Sequence, residues 1–101
     1  MARRILVVTQ PAQNDLDEIY DYVAHDSPQS AERFVERLLA SLAKVARTGS
    51  SGVPRDVIRP GLRLHVHGNY CCYFRIIENR LVVLRIVSSA RDVGRIAFDD
   101  Q

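Results

Sequence analysis

The sequence has little cysteine and no long apolar run. Its two cysteines are neighbours, Cys71 and Cys72. Adjacent strand side chains point to opposite faces, which hinders a disulfide between them. No stretch approaches the roughly 20 apolar residues of a membrane helix, and the run near the N-terminus is too short for a signal peptide. These absences predict a reduced cytoplasmic protein with no membrane partner.

Signatures of catalysis and metal binding are also missing. We find no Ser-His-Asp spacing, no paired-carboxylate signature, no phosphate loop and no zinc motif. His65, His67 and Cys71 could converge on one face of a hairpin, but no obvious fourth ligand completes a zinc site. We therefore expect no metal and no cofactor, and conventional enzyme classes have no support.

Lysine is scarce as well, since Lys44 is the single lysine among 14 basic residues. Arginine binds carboxylates and phosphates in bidentate geometry, so the excess suggests recognition of anionic groups, with GC-rich codon usage as the alternative. The net charge is only +2. Such a modest charge favours a shaped protein interface over non-specific nucleic-acid binding.

What is present is the composition of one globular domain. The 101 residues are 47% hydrophobic and 26% charged, which is close to average globular usage. We therefore expect residues 1–101 to form a single domain, in which residues 88–101 are a C-terminal tail or a short helix.

Two helices are predicted in the first half of the chain, after a short strand at residues 4–9. Ser27 is a good N-cap for the second helix, and Pro28 suits its first position. A tight turn between the helices predicts an antiparallel hairpin. The first helix is marked by apolar residues at helical spacing, namely Leu16, Ile19, Tyr20 and Val23, and the second by a similar stripe over residues 31–46.

The second half shows the alternation of β-strands. Residues 62–66, 70–77 and 81–87 are predicted strands, joined by turns into an antiparallel meander. The resulting order β-α-α-β-β-β predicts an α+β fold. In this fold the helical hairpin packs on one face of a small, mainly antiparallel sheet.

Alternation also assigns the strand residues to two faces. The face beneath the helices is predicted to carry Leu62, Leu64, Val66, Cys72, Phe74, Ile76, Val82, Leu84 and Ile86. The opposite face is predicted to carry Arg63, His65, His67, Tyr73, Arg75 and Arg85. Three arginines with stacking partners would form a cationic platform for RNA phosphate or an acidic peptide, and a solvated face is the alternative.

Several short motifs, in their order and spacing, resemble the ParE/RelE superfamily of bacterial type II toxin–antitoxin (plasmid stabilisation) toxins. The resemblance covers residues 6–92 and implies the same β-α-α-β-β-β fold. The motifs are residues 9–12 leading into 15–22, residues 27–28 with 31–34, residues 60–63, residues 68–70 with 73–75, and residues 84–87 before 90–92.

Within the superfamily, RelE-like members cleave mRNA in the ribosome and ParE-like members poison DNA gyrase. The long hairpin is more similar to ParE. At the RelE-type sheet positions Leu62 and Leu64 stand in place of lysines, Cys71 in place of an arginine, and Phe98 lacks the hydroxyl of a tyrosine. The resemblance thus implies a gyrase inhibitor without chemistry of its own. The alternatives are a RelE-like endoribonuclease using Arg63, Arg85 and Arg91, or a degenerate, non-toxic antitoxin-binding subunit.

The resemblance also implies a ParD-like antitoxin whose C-terminal segment wraps the toxin in a heteromeric complex. We expect this antitoxin to contact apolar helix residues that the domain does not fully hide, together with the basic sheet face: Tyr20, Val23, Phe34, Leu38, Arg63, Tyr73, Arg75 and Arg85. We expect gyrase to contact the C-terminal residues Arg91, Asp92, Arg95, Ile96 and Phe98. No sequence-specific nucleic-acid partner is expected.

Overall fold

A computed structural model describes residues 3–98 and shows two helices packed against a five-stranded mixed sheet. This architecture confirms the predicted α+β fold. The elements in chain order are β1 (Ile5–Val8), α1 (Gln10–Ala24), α2 (Pro28–Thr48), β2 (Val53–Pro54), β3 (Arg63–His67), β4 (Tyr70–Ile77) and β5 (Arg80–Ser88), followed by a short 3-10 helix at Val93–Arg95.

The strand order in the sheet is β1-β5-β4-β3-β2, so β1 and β2 form the two edges. β1 pairs in parallel with β5, and the other three pairs are antiparallel. The two-residue strand β2 adds one element to the predicted order. Parallel strands need a long connection between them, and the chain between β1 and β5 comprises both helices and the strands β2, β3 and β4.

Side-chain caps fix the helix boundaries. The Thr9 hydroxyl accepts a hydrogen bond from the backbone N–H of Ala12 and begins α1, and the Ser27 hydroxyl accepts one from Ser30 and begins α2. Gly49, at φ 74°, ends α2 in the left-handed conformation that a residue without a side chain adopts readily. The Ser27 cap and Pro28 at the first helical position are confirmed.

The β3–β4 turn overturns the predicted face of β3. Gly68 and Asn69 form a two-residue turn, so His67 lies directly opposite Tyr70 and shares its face. Counting back, Arg63 lies opposite Phe74, on the face that packs against the helices. The prediction of the face was therefore wrong for every residue of β3: Arg63, His65 and His67 face the helices, whereas Leu62, Leu64 and Val66 face away.

A bulge in β5 produces a second correction. Tyr73 pairs with Arg85 and Phe74 pairs with Val83, which leaves Leu84 without a cross-strand partner. One extra residue shifts the alternation of the strand. Val82 and Leu84 consequently lie on the face away from the helices, contrary to the prediction, while Ile86 lies beneath the helices as predicted.

The sheet therefore has an apolar core on each face. The helix-side core joins α1 and α2 to the sheet and contains Ala12, Leu16, Ile19, Leu38, Leu42, Val45, Ala46, Cys72, Phe74, Leu81, Val83 and Ile86. The outer core, on the opposite face, contains Leu62, Leu64, Tyr73, Val82, Leu84, Val87, Ile96 and Phe98. A sheet with both faces covered has no open cationic platform of the kind predicted.

The same geometry separates the three possible zinc ligands. His65 and His67 lie on the helix side, whereas Cys71 lies opposite Val66 on the outer face. They do not converge, because the two-residue turn places Cys71 out of phase with the histidines. Within residues 3–98 no group of three or more His, Cys, Asp or Glu side chains is arranged to hold a metal ion.

Candidate protein-binding site

The last part of β5 lies beyond the end of the edge strand β1, which pairs only as far as Val83. Beyond this point, side chains at the start of α1 form hydrogen bonds with the backbone of β5. The Thr9 hydroxyl donates to the carbonyl of Val83 at 2.8 Å, and the Asp15 carboxylate accepts the backbone N–H of Ile86 at 2.9 Å. These bonds satisfy backbone groups that a neighbouring strand would otherwise pair.

Asp15 also forms a buried ion pair with Arg85. The guanidinium Nε and Nη2 donate to the two carboxylate oxygens at 2.7 and 2.9 Å. The side chains are only 15% exposed for Arg85 and 7% exposed for Asp15. Bidentate geometry and burial make this pair stronger than an exposed one.

This role of Asp15 was not predicted from the sequence. A signal was present: Asp15 lies three residues after Ala12 and four before Ile19, which puts it on the apolar stripe of the helix. An acidic residue on such a stripe needs a buried partner. Arg85, which was predicted to belong to a cationic platform on the face opposite the helices, is that partner.

A groove runs past this junction between α1 and the ends of β4 and β5. Its volume is about 280 Å³, and its lining includes Glu18, Tyr22, Tyr70, Ser88 and Arg91. Tyr22 is 78% exposed and also borders two adjoining hollows. An exposed tyrosine, the acids Asp15 and Glu18, and one arginine form the mixed surface typical of polypeptide recognition. This groove is the candidate protein-binding site.

The predicted gyrase-contact residues divide into two groups. Arg91, Asp92 and Arg95 are exposed, and Arg91 lines the groove. The Asp92 carboxylate accepts the Gly94 N–H at 3.0 Å and lies 3.8 Å from Arg95 in an exposed ion pair. Such a pair contributes little to stability, so these charges are available to a partner.

Ile96 and Phe98 instead pack on the outer face of the sheet. The Phe98 ring meets the Tyr73 ring edge-on, with the centroids 5.2 Å apart. Two arginines hold the backbone of the same segment: Arg85 donates to the carbonyl of Ala97 at 3.2 Å, and Arg59 donates to the carbonyl of Phe98. Up to Phe98 the C-terminal segment is thus an ordered cover, and residues 99–101 lie outside the described part.

The helix residues expected to bind an antitoxin are not equally accessible. Tyr20, Val23 and Phe34 are half-buried, but Leu38 is fully buried at the centre of the helix-side core. The expectation that the domain leaves Leu38 partly exposed was wrong. The sheet covers the inward side of α2, where Leu38 lies, while Glu36 and Arg37 beside it stay exposed.

The predicted sheet-face residues do not share one surface. Arg63 faces the helix side and donates to the carbonyl of Ser51, whereas Tyr73 is buried in the outer core. Arg75 is on the outer side, beside Gly61, and Arg85 is paired with Asp15. The prediction grouped them because it assumed an uninterrupted alternation and an uncovered face.

A small polar and aromatic cluster connects α2 to β3 and to the start of β4. The Ser41 hydroxyl and His65 Nε2 are 2.5 Å apart. The Phe34 ring lies 5.7 Å from the His67 ring and 5.4 Å from the Tyr70 ring, centroid to centroid. Burial, with a smaller contribution from the neighbouring His67, lowers the pKa of His65 and favours the neutral imidazole.

Burial also shapes the chemistry of two sheet residues. It raises the pKa of the Cys72 thiol to about 12, with a smaller contribution from Cys71. Burial likewise raises the pKa of the Tyr73 hydroxyl, and Cys71 adds to that shift. A thiol held in its protonated form is a poor nucleophile, so Cys72 serves as a small core residue.

Comparison with known proteins identifies the family. A family model described as the ParE toxin of the type II toxin–antitoxin system parDE matches residues 6–93. The chain belongs to this family. A search of curated proteins finds no match. Neither helix of residues 3–98 has the length and hydrophobicity needed to span a membrane.

Two solved structures show the same fold. The chromosomal ParDE toxin–antitoxin system from P. aeruginosa includes a chain that is 27% identical, with a TM-score of 0.71, covering 85% of this chain and 96% of that one. The RelBE2 toxin–antitoxin complex from Mycobacterium tuberculosis includes a chain that is 19% identical, with a TM-score of 0.55, covering 85% of this chain and 98% of that one.

Proposed function

We propose that this protein is the toxin of a type II toxin–antitoxin module in the bacterial cytoplasm. It inhibits DNA gyrase through protein–protein contacts, and a ParD-like antitoxin neutralises it. The observation that carries the proposal is the ParE family match over residues 6–93, supported by the fold similarity to a ParDE chain over 85% of this sequence.

The exposed part of the C-terminal segment is the proposed gyrase contact. Arg91, Asp92 and Arg95 are accessible, and they follow directly on the groove that contains Tyr22. Ile96 and Phe98 hold this segment against the sheet. We therefore assign Arg91, Asp92 and Arg95 to direct contact and give Ile96 and Phe98 a positioning role.

The antitoxin surface is proposed to include the half-buried side chains of the helical hairpin. Tyr20, Val23 and Phe34 each keep part of their apolar surface in water. Covering partly exposed apolar groups is the main favourable contribution to most protein associations. Binding of the antitoxin thus buries the apolar surface of these three side chains that the toxin chain leaves exposed.

The placement of the arginines favours this proposal over RNA cleavage. Cleavage needs several groups convergent on one phosphate and its 2′-hydroxyl. Arg63 and Arg85 are instead separated in the fold, each bonded to another part of the chain, Arg63 to Ser51 and Arg85 to Asp15. Of the three arginines invoked for cleavage, Arg91 alone borders the groove.

Two parallel assays test the proposal. Purified protein is added to a gyrase supercoiling reaction and to an in vitro translation reaction analysed by primer extension. We expect loss of supercoiling, restored by antitoxin, and intact mRNA. Arg91→Ala/Arg95→Ala should lose inhibition by about tenfold or more, because hot-spot arginines contribute more than 1 kcal/mol each.

Arg47→Ala, which removes an exposed arginine at the far end of α2, is the matched control and should retain inhibition. Codon-periodic mRNA cuts with normal supercoiling would replace the proposal by a RelE-like endoribonuclease. Inactivity in both assays would favour a degenerate subunit that only binds antitoxin.

A further inference from the structure

A second concave surface lies between α2 and the β3–β4 turn. It has a volume of about 480 Å³ and is lined by Ser30, Arg33, Phe34, Arg37, His67 and Gly68. We term it the α2 groove. It shares no lining residue with the groove beside β5.

The charge of the α2 groove is uniformly basic among the described residues that line it. Arg33 and Arg37 are both exposed and lie four residues apart, so their guanidinium groups project from successive turns of one helix face. Within residues 3–98 neither arginine forms an ion pair. Elsewhere, Arg85 pairs with Asp15 and Arg95 pairs with Asp92.

The floor of the groove is aromatic and firmly held. Phe34 is half-buried and packs against the rings of His67 and Tyr70. The Ser41–His65 hydrogen bond holds the adjacent turn of α2 to β3. A preformed apolar floor between two cations reduces the conformational cost of binding a ligand of matching pattern.

We propose that the α2 groove binds an acidic segment of the antitoxin, with carboxylates on Arg33 and Arg37 and an apolar side chain on Phe34. The identity of the partner rests on the proposed function. The chemistry of the segment follows from the groove, since a guanidinium pairs with a carboxylate in bidentate geometry and an aromatic ring packs against apolar groups.

Nucleic acid fits this surface less well. Glu32 and Glu36 each directly precede one of the two arginines and are exposed on the same helix. Their charges repel a polyanion that runs along the helix, whereas neither glutamate lines the groove in which a short acidic segment would bind. The low net charge of +2 agrees with this distinction.

Calorimetry of the purified toxin with the antitoxin encoded beside its gene tests the proposal. We expect Arg33→Glu/Arg37→Glu to weaken binding by about 10- to 100-fold at low salt, because like charges across an interface are strongly unfavourable. The dependence of Kd on salt should also become shallower. Arg33→Gln/Arg37→Gln, which leaves only neutral side chains, should show a smaller loss in the same direction.

The matched control is Lys44→Glu/Arg47→Glu, an exposed pair on the C-terminal half of α2 that makes the same change in net charge. It should bind within about threefold of wild type, as expected for charges outside the interface. Equal affinity of both groove variants and wild type would overturn the proposal. So would normal antitoxin binding combined with loss of affinity for a single-stranded RNA oligonucleotide.

The outcome separates this inference from the proposed function. Groove-dependent antitoxin binding by a chain that leaves gyrase active would support the groove and refute gyrase inhibition. Gyrase inhibition that antitoxin relieves equally in wild type and in Arg33→Glu/Arg37→Glu would refute the groove and support the function. A wild-type chain that binds no antitoxin would refute both.

Discussion

The two faces of the sheet are covered by very different kinds of structure. The helix-side face lies under α1 and α2, which are 15 and 21 residues long and carry defined caps. The outer face lies under a loop and the C-terminal segment, through Ile58, Val93, Ile96 and Phe98. One cover has continuous internal hydrogen bonding, whereas the other is held by two aromatic rings and two arginines.

We therefore expect the helix-covered face to be the more stable part of the molecule, and the C-terminal segment to open more readily. A segment with few backbone hydrogen bonds opens at a lower free energy than a packed helix. The proposed gyrase contacts Arg91, Asp92 and Arg95 lie on that segment. The proposed antitoxin contacts lie on the helices. We expect stability to depend mainly on the first face and exposure of the C-terminal residues mainly on the second.

The largest effect is expected from Leu38→Ala. Leu38 is fully buried in the helix-side core, and a truncation of this kind costs about 2–5 kcal/mol through lost burial and the cavity left behind. Urea unfolding followed by circular dichroism measures it. Val57→Ala, at a 94% exposed position, should change the free energy of unfolding by less than about 0.5 kcal/mol. A Leu38→Ala loss as small as this would refute the assignment of the main core.

Asp15→Ala should rank second, with a loss of about 2–4 kcal/mol, because it leaves the Arg85 guanidinium and the Ile86 N–H without their buried acceptor. Thermal and urea unfolding both report the change. Asp17→Ala removes an exposed carboxylate from the same helix and should be nearly neutral. Equal effects of the two substitutions would show that the junction contributes no stability.

Phe98→Ala tests the outer cover and should cost about 1–3 kcal/mol, less than Leu38→Ala, since the ring lies at the edge of a thinner layer. Amide hydrogen exchange should show faster opening of residues 91–98 while the helices keep their protection. Loss of protection in α1 and α2 to the same degree would mean that the two faces unfold as one unit.

The adjacent cysteines offer the most sensitive comparison of the faces. Cys71 borders the outer core, and Cys72 is fully buried in the helix-side core. At pH 8 a thiol reagent should modify native Cys71 well before Cys72. Phe98→Ala should accelerate only the Cys71 reaction, by ~10-fold if closing the segment becomes about 1.4 kcal/mol less favourable. Variants Cys71→Ser and Cys72→Ser assign each rate.

The buried thiol of Cys72 should make the stability of the protein depend on pH. Burial raises the pKa of the Cys72 thiol from 9.0 to about 12. Between these values the unfolded chain ionises and the folded chain does not, so stability present below pH 9 is lost as the pH rises towards 12. Cys72→Ala should remove this part of the alkaline slope in urea titrations. An unchanged slope would contradict the buried, protonated thiol.

Much of the fold followed from the sequence because the signals were local. The Ser27 cap, Pro28 and the apolar stripes depend on neighbouring residues, and the structure confirms the helices that they predicted. The strand order within the meander is equally local, since each hairpin turn connects consecutive strands. Parallel pairing of β1 with β5 is a contact between distant segments, and no local pattern in the sequence specifies it.

The candidate site was harder to predict for two reasons. It depends on which face of the sheet each strand residue occupies, and on which distant segments pack over that face. The two-residue turn at Gly68 sets the face of His67, and because of the bulge at Leu84, Val82 and Leu84 lie on the face opposite Ile86. Neither appears in a simple alternation of apolar residues. Ile96 and Phe98 looked like candidates for contact because they follow the last strand, but packing on Tyr73 places them inside.

The bulge in β5 makes the length of that strand more important than its composition. Val83 and Ile86 are an odd number of residues apart, yet both supply the helix-side core, because Leu84 is the extra residue between them. Deleting Leu84 would remove the bulge and leave Val83 and Ile86 two residues apart, so both would still face the helices while the outer core lost Leu84. A substitution in this strand alters one contact, whereas deleting a residue outside the bulge shifts the alternation and turns the residues beyond it to the opposite face.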